Sequence, residues 1–281
     1  MPVMVLDNAT LSDNQFNQIS DLVRSVCGIN LHDGKKELVK ARLAKQLRHK
    51  GINSFDEYIE RVRNDRSGIE LTKMLDVLST NLTYFFREPQ HFDYLRKSLL
   101  PAVLRRNREQ SKLRIWSAGC STGEEPYSIG ILLREEFASL SRWDVRILAT
   151  DLSTAVLETA KAGIYPRERL GELPAAMVGR QFVPDTQGLR PATYRISPAI
   201  RSLVSFGRLN LMEKWPMHGP FDVIFCRNVM IYFDKPTQAR LVGRFWDILS
   251  PGGCLFVGHS ESLSGITHRF RYVEPAVYAK S

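Results

Sequence analysis

The chain is short of acid, has no paired cysteines and lacks any long apolar run. Of its 281 residues, 39 are Lys or Arg and 30 are Asp or Glu, a formal net charge of +9. An excess of that sign points to an acidic partner: a nucleic acid, a membrane surface or an acidic protein. The four cysteines, Cys27, Cys120, Cys226 and Cys254, are scattered. No C-x-x-C motif and no Cys/His cluster gathers them, so neither a zinc site nor a disulfide framework is indicated, and no metal is expected. Free thiols suit a reducing, cytoplasmic setting. No apolar run reaches the roughly 20 residues that a spanning helix needs, and the N-terminus has no signal-peptide core, so no membrane insertion is expected. Internal repeats and low-complexity tracts are absent as well. What remains is 43% hydrophobic, enough to bury a sizeable core. The length fits one large domain, or a small domain beside a medium one.

The most informative stretch is Leu113 to Ser128, LRIWSAGCSTGEEPYS. It reads as a buried strand (Leu113 to Ser117), a small-residue turn (Ala118 to Gly123) and a helix opening at Pro126, where a missing N–H costs nothing. An apolar strand that passes through Gly, Ser and Thr into a helix is how α/β proteins build a ligand-binding turn. Gly119 and Gly123 let the backbone pass close to a ligand. A phosphate-cradling loop would continue into Lys and Ser/Thr. Here Glu124 and Glu125 follow, which would repel a triphosphate but suit ribose hydroxyls, an amine or a cation. The same acids would also sit well at a plain helix N-terminus, so both readings stay open on this segment alone.

Residues 1–90 read as a helical domain. Apolar spacing predicts helices at Leu11 to Cys27, Lys36 to Lys50, Ser54 to Asn64 and Ile69 to Leu78, and a further helix from Pro89 to about Arg106 leads into the first strand. On the second helix Lys35, Arg42, Lys45, Arg48 and His49 stand against one acid, Glu37. Such a face either simply meets solvent or docks an acidic partner. Few aromatics are interleaved with the cations, which argues against a platform for single-stranded nucleic acid.

Residues 91–281 alternate strand and helix, which predicts an α/β fold: a Rossmann-like, mostly parallel sheet with helices on both faces. Strands are expected at Val145 to Thr150, Val204 to Gly207 and Phe221 to Cys226. Another runs from Cys254 to Gly258 after a tight Pro251-Gly252-Gly253 turn, and a final one spans Tyr272 to Ala279. Residues 163–203 break the alternation with Pro166, Pro174, Pro184, Pro191 and Pro198. A short helix near Pro174 to Arg180, strand-like pieces at Arg180 to Val183 and Thr193 to Ile196, and a turn at Asp185 to Gly188 predict an inserted antiparallel β-hairpin or small β-subdomain, about 178–200. Asp151 ends the second strand one βα unit after the glycine turn, the arrangement that sets a carboxylate on ribose hydroxyls. Ser153 already supplies the next helix cap. Gly119 to Gly123, Asp151, Asn210 and Arg227-Asn228 all fall at the carboxyl ends of strands, where ligands bind on such sheets.

Four strings, TNLTYFFRE, SAGCSTGEEPYS, FCRNVMIYFD and GHSE, occur in that order. Together they resemble the CheR family, the chemotaxis receptor glutamate O-methyltransferases of the class I S-adenosylmethionine-dependent group. The resemblance covers essentially the whole chain. It implies that Asn81, Thr83 and Arg87 reach the cofactor from the end of the helical domain and that Gly119 and Gly123 supply backbone contacts. It also implies that Glu125, with Glu124, lies near the cofactor and that Asp151 takes the ribose. Asn210, Leu211, Arg227 and Asn228 would complete the adenosine and methionine side. Arg87 and Tyr232 are implied in handling the methyl-accepting glutamate.

The implied partner is the acidic helical bundle of a receptor's cytoplasmic domain, docked on Arg42, Lys45 and Arg48, with S-adenosylhomocysteine as product. Whether the β-subdomain takes a peptide from the receptor's C-terminus is left open. Leu113 to Ser117 lacks the acid that many other methyltransferases carry just before the glycine turn. A glutamate acceptor has an ordinary pKa of about 4.3 and is already an anion, so no general base is needed. The histidines, at 32, 49, 91, 218, 259 and 268, show no pairing with a nucleophile. The rival readings are a nucleic-acid methyltransferase and a non-catalytic cofactor-binding regulator. Against the first, there is no Asn/Asp-Pro-Pro-aromatic string and no Pro-Cys nucleophile; against the second, Arg87 and Tyr232 are retained.

Overall fold

Local signals for helix starts and stops set the N-terminal architecture. The computed structural model describes residues 10–137, 142–185 and 193–281. Helix α1 (Asp13–Cys27) opens on Ser12, whose hydroxyl accepts from Gln15 N–H while the Gln15 side chain reaches back, and it closes on Gly28 in the left-handed region. Helix α2 (Lys36–Lys50) ends at Gly51, α3 (Phe55–Asn64) is capped by Ser54, and α4 (Ile69–Leu78) follows. Their apolar stripes meet in one cluster that includes Ile19, Val23, Leu43, Leu47, Tyr58 and Leu75. Arg42 of α2 reaches across to the end of α4. Its Nη1 donates to the carbonyls of Leu78 (2.7 Å) and Ser79 (2.9 Å), satisfying groups that a helix end leaves orphaned. The expected helix from Pro89 is broken in register: α5 (Pro89–Tyr94) passes through a π turn (Leu95–Leu99) into α6 (Leu100–Arg106).

The main sheet has the strand order β6-β2-β1-β7-β8-β10-β9. Its strands are β1 (Lys112–Ala118), β2 (Asp144–Asp151), β6 (Val204–Arg208), β7 (Phe221–Cys226), β8 (Leu249–Val257), β9 (Arg271–Glu274) and β10 (Val277–Ala279). Pairings from β6 across to β8 are parallel; β8-β10 and β10-β9 are antiparallel. From β1 the chain builds outward one way to β2 and β6, then returns to build the other way through β7 and β8. The crevice at the carboxyl ends where this order reverses is the binding position of open α/β sheets. Helices α7 (Glu124–Glu136), α8 (Thr154–Ala162) and α11 (Lys235–Ile248) connect the strands. Among the described residues no helix is long and apolar enough to cross a membrane.

The expected elements need four corrections. Helix α7 starts at Glu124 rather than Pro126, because the first-turn N–H groups have no helical partner and proline is tolerated there. Pro251-Gly252-Gly253 is not a turn but an irregular part of β8, held by Gly252 N–H to the Lys280 carbonyl (2.8 Å). The last strand is a hairpin, β9 and β10, reversing through Ala276 at φ 63°. The inserted antiparallel β-subdomain is present as expected, a three-stranded sheet of β3 (Ile164–Pro166), β5 (Thr193–Ile196) and β4 (Phe182–Asp185), accompanied by the short helices α9 (Ala175–Gln181) and α10 (Pro198–Arg201), and the fourth correction lies within it. Arg180 stays in α9, where its guanidinium forks onto the Glu135 carboxylate (2.9 and 2.6 Å). The expected turn beyond Asp185 lies outside the described residues.

Candidate active site

The glycine turn hangs on the end of β2. The N–H groups of Gly119 and Cys120 both donate to the Thr150 carbonyl, at 2.8 and 2.9 Å. Gly119 has φ 90°, and a Cβ there would stand 2.4 Å from Val229 Cγ2, so only glycine fits. Ser121 N–H then donates to Asp151 Oδ2 (2.8 Å), and Ser153 N–H to Oδ1 (3.0 Å). Each carboxylate oxygen has a second lone pair, so Asp151 keeps acceptor capacity while it staples two loops together. Burial pushes the Asp151 carboxyl above its usual range, opposed by those N–H groups.

Glu125 faces the same cleft. It accepts from Ser117 Oγ (2.6 Å) and from Arg227 Nη1 (3.1 Å). Burial raises its pKa, and the Arg227 guanidinium pulls against that rise. Arg227 is itself buried. Its Nε and Nη2 donate to Glu88 Oε2 (3.2 and 3.0 Å), and Nη2 also donates to the Arg87 carbonyl. One guanidinium therefore holds two carboxylates and the backbone that carries Arg87. Burial alone would raise Glu88, but Arg227 and the His259 N–H hold its carboxyl below the usual carboxylate range.

The loop after β7 is fixed from beneath. Buried Glu261, the acid of the GHSE string, accepts from the N–H groups of Asn228 (2.8 Å), Ile231 (3.0 Å) and Gly258. Beside Glu88 lie His91 and His259, the three offering ligand-type atoms within 4.8 Å of one another, a grouping that sequence spacing does not show. His91 is buried with neither ring nitrogen hydrogen-bonded. Burial, then the nearby Arg227 charge, depress its pKa to about 3.

Asn81, Thr83 and Arg87 come to the cleft from the segment after α4, and Leu211, Asn228 and Tyr232 from the facing loops. Arg87 Nη1 donates to the Leu82 carbonyl (2.7 Å), and its guanidinium lies 5.9 Å from the Tyr84 ring centre. Asn210 also lines the cleft, but its side chain is occupied: Nδ2 donates to the Val26 carbonyl (2.7 Å) and to Glu213 (3.1 Å), bracing the sheet against α1. Tyr232 offers its carbonyl to Asn30 N–H (2.8 Å).

Two sequence-predicted residues are placed elsewhere. Gly123 turns from the cleft, since a Cβ there would meet Tyr165 Oη at 2.9 Å and Ala160 at 3.0 Å. Glu124 is fully buried behind the turn, bonded to Thr122 Oγ1 (2.6 Å) and Arg169 Nη1 (3.2 Å). Of the basic helix, Arg42 is committed to the end of α4. Lys45 and Arg48 are exposed and have no ion pair among the described residues.

The cleft thus joins an apolar wall (Ile29, Leu209, Leu211, Val229, Phe233) to two carboxylates, Glu125 and Asp151, and three cations, Lys35, Arg87 and the carboxylate-paired Arg227. That set fits a nucleoside bearing vicinal hydroxyls and a positive charge better than a polyphosphate. Sequence reading missed Glu88, Ser121, Arg169 and the clamping role of Glu261. Glu88, Ser121 and Glu261 lie within the strings that carry the resemblance, but nothing in their local spacing gave them a role, and Arg169 carried no signal.

Two sequence families match the chain. One described as CheR methyltransferase, all-alpha domain, matches residues 14–79; one described as CheR methyltransferase, SAM binding domain, matches residues 81–279. A chemotaxis protein methyltransferase 2 of Pseudomonas aeruginosa is 44% identical over 94% of this chain and 92% of its own length. Chemotaxis protein methyltransferases of Borreliella burgdorferi and Escherichia coli are 40% and 39% identical, covering 98% and 99% of this chain and 96% and 95% of the relatives.

Proposed function

This chain belongs to the CheR methyltransferase family, and from that premise we propose that it methylates glutamate side-chain carboxylates of chemotaxis receptors. The methyl donor would be S-adenosylmethionine, and the products glutamate methyl esters and S-adenosylhomocysteine. The carrying observation is that Asp151, Glu125, Arg87 and Tyr232 border one cleft.

When bound, S-adenosylmethionine supplies a methyl group made electrophilic by its sulfonium. The protein's task is then to bind, orient and keep water out. Asp151, with spare lone pairs, accepts hydroxyl donors. Glu125 balances a positive charge, and its rigid pairing with Arg227 keeps it in place. Arg87 can fork onto a carboxylate. The Tyr232 phenol can donate to one carboxylate oxygen and leave the other free to attack. Lys45 and Arg48 offer an exposed basic face to the acidic receptor. No side chain need remove a proton, since the acceptor is already ionised.

The test is to incubate the protein with methyl-labelled donor and a receptor cytoplasmic fragment, then treat the product with mild base. Carboxyl methyl esters release the label as methanol; base-stable label, or none, would refute the reading. Tyr232→Phe and Arg87→Ala should each lose at least about tenfold in turnover. Native rates in both would remove these residues from the mechanism.

A further inference from the structure

Among the described residues, seven large apolar side chains are at least 40% exposed; three of them line the cleft, and a fourth adjoins one of its lining residues. Leu38 (40%), Leu82 (73%) and Tyr84 (51%) line it, and Ile231 (49%) sits immediately before Tyr232 in the turn that supplies that tyrosine. They come from three separate segments: α2, the stretch after α4, and the loop after β7. Apolar groups converging from distant parts of a chain onto one exposed rim mark a contact surface.

The backbone beneath this rim is pinned. Ser121 Oγ holds the Asn81 carbonyl (2.9 Å), Arg169 Nη1 the Thr83 carbonyl (3.2 Å) and Arg87 Nη1 the Leu82 carbonyl (2.7 Å). Ile231 N–H is held by Glu261 (3.0 Å). The side chains are therefore presented outward on a fixed frame. Charge identifies what fits there. Arg87 and Lys35 line the same cleft, and exposed Lys45 lies two helical turns from Leu38 on the same stripe of α2. The complementary surface is apolar close to a reacting carboxylate and acidic further out. A carboxylate nucleophile is strongly hydrated, and an apolar seal around Arg87 would exclude that water.

We infer that Leu38, Leu82, Tyr84 and Ile231 form an apolar collar that receives the side chains one helical turn either side of the methyl-accepting glutamate. The collar thereby selects which glutamates of an acidic helix are modified. It rests on the carboxyl-methylation reading above, and the helix is its one proposed occupant. Glutamates flanked at three or four residues by small or aliphatic side chains should be preferred over those flanked by acids.

The experiment compares wild type with Leu82→Ser, Ile231→Ser and Tyr272→Ser. The last alters an equally exposed apolar residue on β9, at the outer edge of the sheet. Receptor KM and kcat are measured with acceptor helices whose target glutamate has either Ala/Leu or Asp neighbours, and S-adenosylhomocysteine affinity is measured by calorimetry without receptor. The collar requires receptor KM to rise about fivefold or more in Leu82→Ser and Ile231→Ser, with S-adenosylhomocysteine affinity kept within about twofold. The preference for Ala/Leu neighbours should shrink in both, and Tyr272→Ser should match wild type. Unchanged KM and preference in the two collar variants would overturn the inference, as would an equal loss in Tyr272→Ser. A wild-type protein that forms no base-labile ester would overturn the functional reading and the collar with it.

Discussion

Arg227 is the side chain on which the order of the cleft converges. Its guanidinium sits between Glu88 and Glu125 and holds the Arg87 carbonyl. Removing it leaves two carboxylates facing each other with no cation between them, and uncompensated buried charge is expensive. Arg227→Met should therefore cost about 3–5 kcal/mol in urea unfolding and weaken S-adenosylhomocysteine binding. His91 gives a pH prediction. Folded, it stays neutral down to about pH 3; unfolded, it takes a proton near 6.5. Between those values the unfolded chain binds more protons, so stability falls as pH is lowered through that window, by at most about 1.4 kcal/mol per unit. Urea titrations at stepped pH should show that slope, and His91→Phe should flatten it. At this scale sequence and structure part in a consistent way. Asp151 and Glu125 could be read because each sits next to a recognisable strand end or turn. Glu88, Arg169 and the clamp at Glu261 could not, because each takes its meaning from partners far along the chain.

Helix α2 shows what an element's sequence does and does not reveal. Its limits, Lys36–Lys50, were legible because Gly51 takes the left-handed geometry that closes a helix. Its cations were legible only as a group. Arg42 is a structural cap for α4, whereas Lys45 and Arg48 face solvent. Lys45→Glu combined with Arg48→Glu should raise receptor KM several-fold and leave S-adenosylhomocysteine affinity unchanged. Arg42→Glu should instead lower stability by about 1–3 kcal/mol and weaken nucleoside binding, because the α4 carbonyls beside Asn81 lose their donor. Kinetics alongside calorimetry on both proteins separates the two effects. The strands that escaped prediction are the short ones. β3 has three residues and ends in Pro166, and the β9-β10 hairpin turns through Pro275-Ala276 without the glycine or asparagine that usually marks a reversal.

For the whole molecule, the alternation of strand and helix made the parallel sheet and the helical first domain readable. It did not show that the cleft is walled by both. Cys27, Ile29, Leu38 and Leu78 line it from the helical side; Leu209, Asn210 and Val229 line it from the sheet. The two sides are tied by Asn210 to the Val26 carbonyl, by Arg24 to Asp234 (2.6 Å), and by Asp76 to the N–H and hydroxyl of Thr154 (3.0 and 2.9 Å). Cutting two of these ties in Asp76→Ala/Arg24→Ala should weaken S-adenosylhomocysteine binding by about tenfold, read by calorimetry, although neither residue lines the cleft.

A shared wall also makes the ligand part of the protein's own stability. A nucleoside held between two domains binds the folded chain and not the unfolded one. At one hundred times its dissociation constant it would add about 2.7 kcal/mol. Folded abundance should then follow the cell's methyl-donor supply: a protein starved of donor loses that share of its stability as well as its substrate.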